Sequence, residues 1–515
     1  MAVQTSYPGV YVQEVPSGVR TIAGVSTSTT IFIGAAVWGP VNEPVLCLNY
    51  SDFDRTFTSS VAQGDLARSV RLFFLNGGTK CYVMRVGREN DITPANNVST
   101  STVTLDDAGA ADTLIINARY PGVLGDSVRA IVEHPPASAT EFDLTLFRLV
   151  PKPSGGFAES DKQTWKGLSM DPVHPRYALK YVDYKWAVLD APTPANVNRP
   201  AITPAGPPPV PAALTTGGDG VALATTDYDS AYITIDKEVD LFNLMVLTRN
   251  NTGATLKSLW GNASVFCQQK RAFLLMDPED SWTTVQKATD NVVGVSTLRT
   301  GLVSDHSAVY YPKLIVNENE TPVEVGPSGA IAGLMARIDS SRGVWKAPAG
   351  TEADIRGING LEYRFSDGEN GVLNPRAVNT LRIFPNGIVS WGARTMDGDD
   401  DFGSEYKYVP IRRTALFIEE SLYRGLKWVV FEPNDEPLWS QIRLNVGAFM
   451  HDLFRQGAFQ GATKQEAYFV KCDSETTTQN DINLGVVNVW VGFAPLKPAE
   501  FVVLYLQQMT GQIQV

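Results

Sequence analysis

The sequence has few residues of the kinds that carry redox and metal chemistry. Its 515 residues include only four cysteines, Cys47, Cys81, Cys267 and Cys472, and no two of them form a C-x-x-C pair. Cysteines so few and so widely spaced argue against both a disulfide framework and a zinc site. We therefore expect four buried free thiols and assembly in a reducing compartment.

Residues for catalysis are equally scarce. The segment Asp305-His306-Ser307 contains the residue types of a hydrolase triad, but adjacent side chains point in different directions and do not form its geometry. There is no G-x-S-x-G motif. The sequence therefore predicts no catalytic, metal-binding or cofactor-binding residues. We expect a structural role for all four histidines, which lack metal-ligand spacing: His134, His174, His306 and His451.

Positive charge and long apolar runs are also limited. The chain has 43 Lys and Arg against 55 Asp and Glu, a formal net charge of −12. An acidic chain is a poor binder of nucleic acid and of anionic membranes. There is no apolar run of 18 residues, and the first residues lack the pattern of a signal peptide. We expect no nucleic-acid partner, no membrane insertion and no export by the general secretory route.

Two short motifs resemble ligand sites but fail on spacing. The small-residue segment 326–333 lacks the Lys-Ser/Thr pair of a P-loop, so we interpret it as close packing of a helix on a sheet. The acidic run 397–401 resembles the start of a calcium loop, but the twelfth position of that loop would be Tyr408. A solvated acidic loop is the favoured interpretation, with a weak cation site as the alternative.

What the sequence does contain is a succession of domains. Residues 21–90 read as strand, helix and strand, with the helix from Asp65 to Leu75. Residues 236–395 alternate buried strands with helices, which predicts a largely parallel sheet. Between them, residues 91–235 are rich in Thr, Ser, Asp and Pro and predict an inserted, mainly β outer domain that is loosely tied to the rest.

The two ends of the chain have a different character. Residues 396–500 predict an α+β domain whose main helix begins after Asn434, the expected N-cap. Residues 1–20 read as an extended arm, and residues 501–515 as a second arm that begins with a β-prone run. A short strand at a chain end cannot bury itself and must pair with something.

Several segments, in this order along the chain, resemble the tail sheath proteins of contractile phages and of phage-derived injection particles. The resemblance covers about residues 1–90 and 236–515 and is absent from the insertion. It rests on YPGVYVQEVPSG (7–18), GPSGAIAGLMARIDSSRGVWKAPAG (326–350), WGARTM (391–396), YVPIRRTALFIEESLYRGLKWVVFEPND (408–435), EAYFVKCDSETTTQNDINLG (466–485) and VGFAPLKPAEFVVLYL (491–506).

The resemblance implies a fold and a mode of assembly. The central domain would be a subtilisin-type α/β sheet without the catalytic residues. Subunits would stack as hexameric rings around an inner tube, and terminal arms would add strands to sheets of neighbouring subunits, through Val10, Tyr11, Val12, Phe501, Val503 and Tyr505. The expected hinges are Pro16, Ser17, Gly18 and Gly511. The alternative is that both terminal strands pair within their own subunit.

The resemblance also implies a mechanism and partners. The sheath would assemble in an extended state and contract, without nucleotide, to drive the tube into a target envelope. Partners would be other copies of the chain, the inner tube, the baseplate and the tail terminator or cap. Arg443 and Arg455, on the helix after Asn434, are candidate contacts to the tube; the alternative is that they solvate a surface helix.

Two rival functions stay open at this point. One is another structural assembly protein, such as a capsid, tube or surface-layer subunit, and the other is an enzyme built on the central sheet. The resemblance does not separate a phage tail from a genome-free injection particle, although the C-terminal domain favours the particle. Type VI secretion fits less well because its sheath is split into two chains. Assembly in a bacterial cytoplasm, with release after lysis, is the expected localisation.

Overall fold

The computed structural model describes residues 21–58, 64–136, 138–152, 154–203, 210–250, 253–385, 387–401 and 403–505. The predicted arm strand at Val10–Val12 and the predicted hinges at 16–18 and Gly511 lie outside these residues. The chain divides into two compact units. We call the described residues of 28–337 and 348–405 the core unit, and the described residues of 21–27, 338–347 and 406–505 the C-terminal unit.

The core unit begins with the predicted strand–helix–strand segment. Ile31, Phe32 and Ile33 are fully buried, as expected of a central strand covered on both faces. The predicted helix at Asp65–Leu75 is confirmed, and Gly77 follows it with φ of 112°, a conformation that glycine adopts without strain. The elements are β1 (Thr30–Gly34), β2 (Pro44–Cys47), α1 (Tyr50–Phe57), α2 (Asp65–Leu75) and β3 (Cys81–Arg85).

The following segment is mainly β, as predicted. Its strands form three small antiparallel sheets, in the orders β10-β6-β5, β11-β7-β8-β9 and β12-β4. The elements are β4 (Val98–Ser99), β5 (Thr102–Asp106), β6 (Asp112–Ala118), β7 (Val128–Glu133), β8 (Phe142–Pro151), β9 (Phe157–Leu168), α3 (Ala178–Tyr181), β10 (Ala187–Asp190), β11 (Ala212–Ala213) and β12 (Gly218–Asp219).

This β segment is not loosely tied to the rest of the core unit, so that expectation was wrong. Trp38, which follows β1, is fully buried, and its ring centroid lies 5.0 Å from that of Trp186 and 5.5 Å from that of Tyr120. The buried Arg85 at the end of β3 donates hydrogen bonds to the carbonyl oxygens of Gly39 (3.0 Å) and Pro121 (2.9 Å). The insertion therefore shares an apolar cluster with the main sheet's connections.

The rest of the core unit completes one eight-stranded sheet, in the order β2-β3-β1-β13-β14-β15-β19-β20. All neighbours from β3 to β19 are parallel, as predicted, and both outer pairs are antiparallel. The elements are α4 (Thr225–Glu238), β13 (Leu244–Leu247), α5 (Leu256–Gln269), β14 (Phe273–Met276), α6 (Val285–Ala288), β15 (Ser307–Tyr311), β16 (Leu314–Glu318), β17 (Thr321–Val325), α7 (Ser328–Arg342), β18 (Gly360–Leu361), α8 (Asp367–Leu373), β19 (Val378–Phe384) and β20 (Gly387–Ser390).

Helix α4 shows that the expected end of the insertion, at residue 235, falls inside an element of the main α/β layer. Tyr232 of α4 stacks on Phe266 of α5, with ring centroids 5.0 Å apart, and Ile235 is fully buried in the same apolar cluster. The polar composition of Thr225–Glu238 resembles that of the insertion. Only the spacing of its buried residues marks it as an amphipathic helix.

Two glycines of the small-residue segment at 326–333 pack against a helix, while Gly326 lies against Asp277, which directly follows β14. A Cβ atom on Gly329 would lie 2.5 Å from the carbonyl oxygen of Ser69, and one on Gly333 would overlap the carbonyl oxygen of Phe73. Ser69 and Phe73 belong to α2. The glycines therefore let α7 approach the backbone of α2.

The acidic run is a solvated loop only in part: Asp400 and Asp401 are exposed, as expected, but Asp399 is buried, which corrects the expectation at that position. Asp399 is buried and lies 3.0 Å from the guanidinium of Arg299, and Asp400 lies 2.8 Å from that of Arg394. Arg394 itself is only 1% exposed. These carboxylates neutralise arginines of the core unit.

In the C-terminal unit two long helices carry most of the apolar core. The predicted stripe of the second helix is buried as expected, but its N-cap is Asp435, not Asn434. Asn434 instead accepts a hydrogen bond from the indole of Trp439 (2.9 Å). The elements are α9 (Val409–Gly425), α10 (Glu436–Arg455), α11 (Lys464–Ala467), β21 (Tyr468–Lys471), α12 (Gln479–Asn483) and β22 (Trp490–Phe493).

Short 3₁₀ turns complete the structure, at Pro94–Asn96, Val123–Ser127, Val295–Arg299, Ser304–His306, Asn374–Arg376 and Lys427–Val429. All four cysteines are buried and free, as predicted. Within the described ranges, we find no helix with the length and apolar character that crossing a bilayer requires.

Candidate assembly interface

The strands β21 and β22 form an isolated antiparallel ribbon in the C-terminal unit. They pair from Tyr468 opposite Phe493 to Lys471 opposite Trp490. Within the described residues no third strand joins this sheet, so one edge of each strand keeps its backbone groups unpaired with another strand. Open strand edges are templates for pairing with another chain. Two-stranded ribbons are also marginally stable alone, so added strands would stabilise this one.

Large apolar side chains near the ribbon are exposed. Phe469 is 51% and Trp490 60% exposed, and the nearby turn after α9 carries Phe431, which is fully exposed. The side-chain amide of Asn434 donates to the carbonyl oxygen of Val486 (2.9 Å), which holds that turn beside the loop before β22. Clusters of exposed apolar side chains mark interaction surfaces in soluble proteins.

The C-terminal segment with Phe501, Val503 and Tyr505 is exposed in the single chain. These three side chains are 75%, 68% and 92% exposed, and residues 501–505 form no strand. Residues 501–505 therefore do not pair with a strand of their own subunit, which was the alternative prediction for this segment. Whether they pair with a neighbouring subunit stays a prediction.

Residues 21–27 are anchored on α9. Ile22 is buried and lies against Gly425, where an added Cβ would come within 2.6 Å of its side chain. The backbone N–H of Val25 donates to the hydroxyl of Ser421 (3.2 Å). Residues 21–27 therefore form a fixed base on α9.

A buried ion pair strengthens this base. The guanidinium of Arg413 in α9 forms two hydrogen bonds with the carboxylate of Asp339, at 3.0 and 2.6 Å, and a third with the carbonyl oxygen of Thr27 (2.9 Å). Both charged side chains are at most 4% exposed. Paired two-fold hydrogen bonds of this kind fix geometry as well as charge.

The two arginines predicted to contact the inner tube differ in their surroundings. Arg443 donates to the carbonyl oxygen of Cys472 and to the carboxylate of Glu436 (2.5 Å), so it is engaged within its own subunit. The resulting contact lowers the pKa of Glu436. Arg455, in the last turn of α10, is exposed. Of the two, Arg455 is the one whose charge faces solvent.

The triad residue types near β15 form a pair but no triad. Nδ1 of His306 lies 2.9 Å from Oδ1 of Asp305, so the expectation that these adjacent side chains diverge was wrong. The hydroxyl of Ser307, however, donates to the carbonyl oxygen of Val303 (3.1 Å) and not to the imidazole. Among the described residues there is no cluster of three or more His, Cys, Asp or Glu side chains that could hold a metal ion.

The carboxyl edge of the main sheet is where α/β enzymes place their sites. A cleft of about 400 Å³ lies there, beside Arg249, Asp280 and Lys313. Asp280 lies 2.9 Å from the guanidinium of Arg249 and 2.8 Å from the ammonium group of Lys313. Arg249 also pairs with Asp65 (2.8 Å) and Lys313 with Glu324 (3.4 Å), so three carboxylates face the two cations in a structural network.

The most perturbed carboxyl at this edge is Asp277, after β14. Its oxygens accept hydrogen bonds from the N–H (2.8 Å) and the hydroxyl (2.9 Å) of Ser328, the first residue of α7. Burial raises the pKa of Asp277 to about 7, and the bonds from Ser328 act in the opposite direction. This carboxyl holds the start of α7.

Two features of the assembly surface escaped the sequence analysis. The ribbon strands are only four residues long, too short for a clear alternation of apolar and polar residues. The anchoring of residues 21–27 depends on Gly425 and Ser421, about 400 positions away, so no local pattern reveals it.

Family models match parts of both units. The family model described as the phage tail sheath protein central domain matches residues 224–396, and the one described as the phage tail sheath C-terminal domain matches residues 401–508. Together they match more than half of the chain. The chain belongs to the phage tail sheath family. The predicted resemblance is thereby confirmed, and no part of residues 91–223 is matched by either model.

Individual sheath proteins show the same relationship. The chain is 28% identical over 179 residues to a prophage major tail sheath protein of Pseudomonas aeruginosa, covering 34% of this chain and 43% of that one. It is 27% identical over 188 residues to the tail sheath protein of Burkholderia phage BcepMu, covering 35% of this chain and 39% of that one. These alignments therefore span less than half the length of either relative.

Solved sheath structures share the fold over nearly the whole chain. The sheath of the anti-feeding prophage in its contracted state has a TM-score of 0.58 at 23% identity, covering 98% of this chain and 99% of that one. The sheath complex of PVC, an extracellular contractile injection system, also in the contracted state, has a TM-score of 0.59 at 21% identity with the same coverage. At these identities the likeness shows the fold of the sheath chain.

Proposed function

We propose that the chain is the sheath subunit of a contractile tail or injection system. It polymerises as stacked hexameric rings around an inner tube and contracts to drive that tube into a target envelope. The observation that carries the proposal is the pair of sheath family models in chain order, with a shared fold over 98% of the chain. The chain acts by changing its packing and is not an enzyme.

Assembly proceeds by strand addition to the β21–β22 ribbon. The acceptor is the ribbon, whose outer edges are open in the described single chain. The donors are the arms of neighbouring subunits, at Val10–Val12 and at Phe501, Val503 and Tyr505. Main-chain hydrogen bonds hold the added strands, and alternate side chains fix their register. Pro16–Gly18 and Gly511 serve as hinges.

Each domain of the chain has its own role in the proposed sheath. Residues 1–20 and 501–515 are arms, and residues 406–500 form the inner, tube-facing domain. The main sheet, from residues 28–90 and 225–395, is a subtilisin-like layer without catalytic residues, and residues 91–224 face outward. The parallel strand pairs from β3 to β19 and the ion-paired cleft at their carboxyl edge support this description.

The other partners are the inner tube, the baseplate and the terminator or cap. One structural neighbour, at 22% identity, comes from a structure described as the anti-feeding prophage baseplate. The particle assembles in a bacterial cytoplasm and leaves it after lysis. The four buried free thiols are compatible with assembly in a reducing compartment.

Negative-stain electron microscopy of the concentrated, purified chain tests this function. Long hollow tubes with a helical surface lattice are the expected result, and deletion of residues 1–18 abolishes them. Monomers or small closed rings, both for the chain alone and after co-expression with the inner tube protein, would contradict the proposal.

The tube contact is tested at Arg455. Because its side chain is exposed, Arg455→Glu leaves the fold intact and is expected to weaken co-purification of the inner tube with the sheath. Arg443→Glu serves as a comparison, since it also breaks the bonds to Glu436 and Cys472 and should lower stability. Unchanged co-purification of Arg455→Glu would remove Arg455 from the tube surface.

A further inference from the structure

Two of the four free cysteines face each other across neighbouring strands. Cys47, at the end of β2, lies directly opposite Cys81, at the start of β3, in an antiparallel pair. Directly opposite residues have their side chains on the same face of the sheet. Both side chains are fully buried, and the thiol of Cys47 donates a long hydrogen bond, 3.9 Å, to the carbonyl oxygen of Val45.

The backbone spacing suits a covalent bond between them. Opposite residues in antiparallel strands have Cα atoms about 4.5 or 5.5 Å apart, depending on their place in the ladder. Disulfides span Cα separations of about 4.4 to 6.8 Å. A bond between the two sulfur atoms therefore needs rotation of the side chains and little movement of the strands.

We propose that Cys47 and Cys81 form a disulfide once the folded protein meets a low-molecular-weight disulfide in a non-reducing medium. The thiolate of Cys47 attacks one sulfur of the small disulfide, and the small disulfide releases one thiol. The thiolate of Cys81 then attacks the sulfur of Cys47 and displaces the second small thiol. Each cysteine loses one proton, and the two electrons pass to the small disulfide, which is reduced to two thiols.

The position of β2 gives the oxidant a way in. β2 is the outer strand of the main sheet, it has four residues, and its neighbour in the sheet is β3. Leu46 and Leu48, on either side of Cys47, are 45% and 56% exposed. Short outer strands open locally at much lower free energy than the centre of a sheet.

The environment of the thiols makes the reaction slow at neutral pH. Burial raises the pKa of Cys81, and its contact with Cys47 acts in the same direction. Because the thiolate is the reacting form, the rate is expected to rise with pH. A thiol pair of this kind stays reduced during assembly in a reducing compartment and oxidises slowly outside it.

The other two cysteines are internal controls. Cys267 lies in the apolar cluster that contains Tyr232 and Phe266, and its sulfur is 3.5 Å from that of Met245. Cys472 lies in the C-terminal unit. The double variant Cys267→Ser/Cys472→Ser therefore keeps only the proposed pair, with conservative changes elsewhere.

Thiol counting on the full chain tests the proposal. The folded protein is incubated with 2-hydroxyethyl disulfide, denatured with N-ethylmaleimide, and weighed by mass spectrometry. The alkylated cysteines are expected to fall from four to two in the wild-type chain and from two to none in the double variant. A peptide that links Cys47 to Cys81 should appear after digestion. The oxidised chain should unfold at a higher temperature, and dithiothreitol should reverse both changes.

Hydrogen exchange makes a negative result decisive. If the amides of β2 have exchanged completely while all four thiols stay free, the strand has opened in the presence of oxidant without forming the bond, and the proposal is overturned. Formation of the bond only in urea, where the chain is unfolded, overturns it as well. Cys81→Ser, with no partner for Cys47, should give no internal disulfide under the same conditions.

Discussion

The Arg413–Asp339 pair is a buried ion pair of the C-terminal unit, in which both side chains are at most 4% exposed. Arg413 also donates a hydrogen bond to the carbonyl oxygen of Thr27, the last of the anchored residues 21–27. Removing one partner of such a pair leaves a charge without compensation in an apolar setting. This contact therefore couples the stability of the unit to the base of the N-terminal arm.

Replacement of Arg413 should be among the most damaging single changes in the unit. Arg413→Ala is expected to lower the free energy of unfolding by about 3–5 kcal/mol, measured by urea titration followed by far-UV circular dichroism. Arg55→Ala is the control, because its side chain is 75% exposed and pairs with Asp52 at 3.8 Å. That change should cost at most about 1 kcal/mol. Equal losses in the two variants would refute the role of the buried pair.

Asp277 gives a prediction about pH. Its pKa in the folded chain is about 7, against about 3.9 for an unfolded aspartate. The folded state therefore binds this proton more tightly. The resulting stabilisation is complete below about pH 4 and is lost as the pH rises through 7. Asp277→Asn keeps an oxygen that can accept from Ser328 but does not titrate.

The test compares the two chains at two pH values. The stability of Asp277→Asn relative to wild type, from urea titrations, should be higher at pH 7.5 than at pH 4.5. Other groups titrate in both proteins, so their effects cancel in the difference. A difference in stability that is the same at both pH values would show that the carboxyl ionises at its ordinary pKa.

At the scale of elements, the contact between α2 and α7 depends on glycine. Gly333→Ala would place a Cβ against the backbone of Phe73, and overpacking of this kind typically costs about 1–3 kcal/mol. Gly371→Ala is the matched control. It lies in α8 with no atom within 4 Å of the added Cβ, so this change should be neutral or stabilising. The unfolding temperatures of the two variants test this difference. If Gly333→Ala unfolds at the same temperature as wild type, α2 and α7 can move apart at little cost.

A substitution in the C-terminal arm is expected to prevent assembly without affecting folding. Val503→Pro removes an N–H needed for strand pairing, at a side chain that is 68% exposed in the single chain. The variant should melt like the wild type but form no tubes in electron micrographs. Val503→Thr keeps a β-prone residue and should still form tubes. Tubes of normal length from Val503→Pro would exclude pairing at this position.

Local patterns explain which elements could be predicted. The helix Asp65–Leu75 could be predicted because its apolar spacing is followed by the stop signals Asn76 and Gly77. The cap of α10 was misplaced by one residue because Asn434 and Asp435 are both good caps, and a contact with Trp439 decides between them. Helix α4 was missed because Thr, Ser and Asp obscure its apolar spacing.

On the scale of the whole molecule, the function could be inferred from motif order, but the contacts that position the arms could not. Gly425 of α9 leaves space for the side chain of Ile22, and this role can be recognised only when residues 21–27 are seen to lie on that helix. Likewise, the insertion looked separate in composition, and long-range contacts such as those of Trp38 and Arg85 reveal that it is fixed to the main sheet. Contacts between distant parts of a chain leave little local signature in one sequence.

The most direct test is a helical reconstruction by electron cryomicroscopy of tubes assembled from the purified chain. Strand addition predicts that the β21–β22 ribbon of each subunit is extended by strands from other subunits, with Phe501, Val503 and Tyr505 in one of them. Tubes in which the ribbon edges stay unpaired and residues 501–505 lie on their own subunit would contradict this account of assembly.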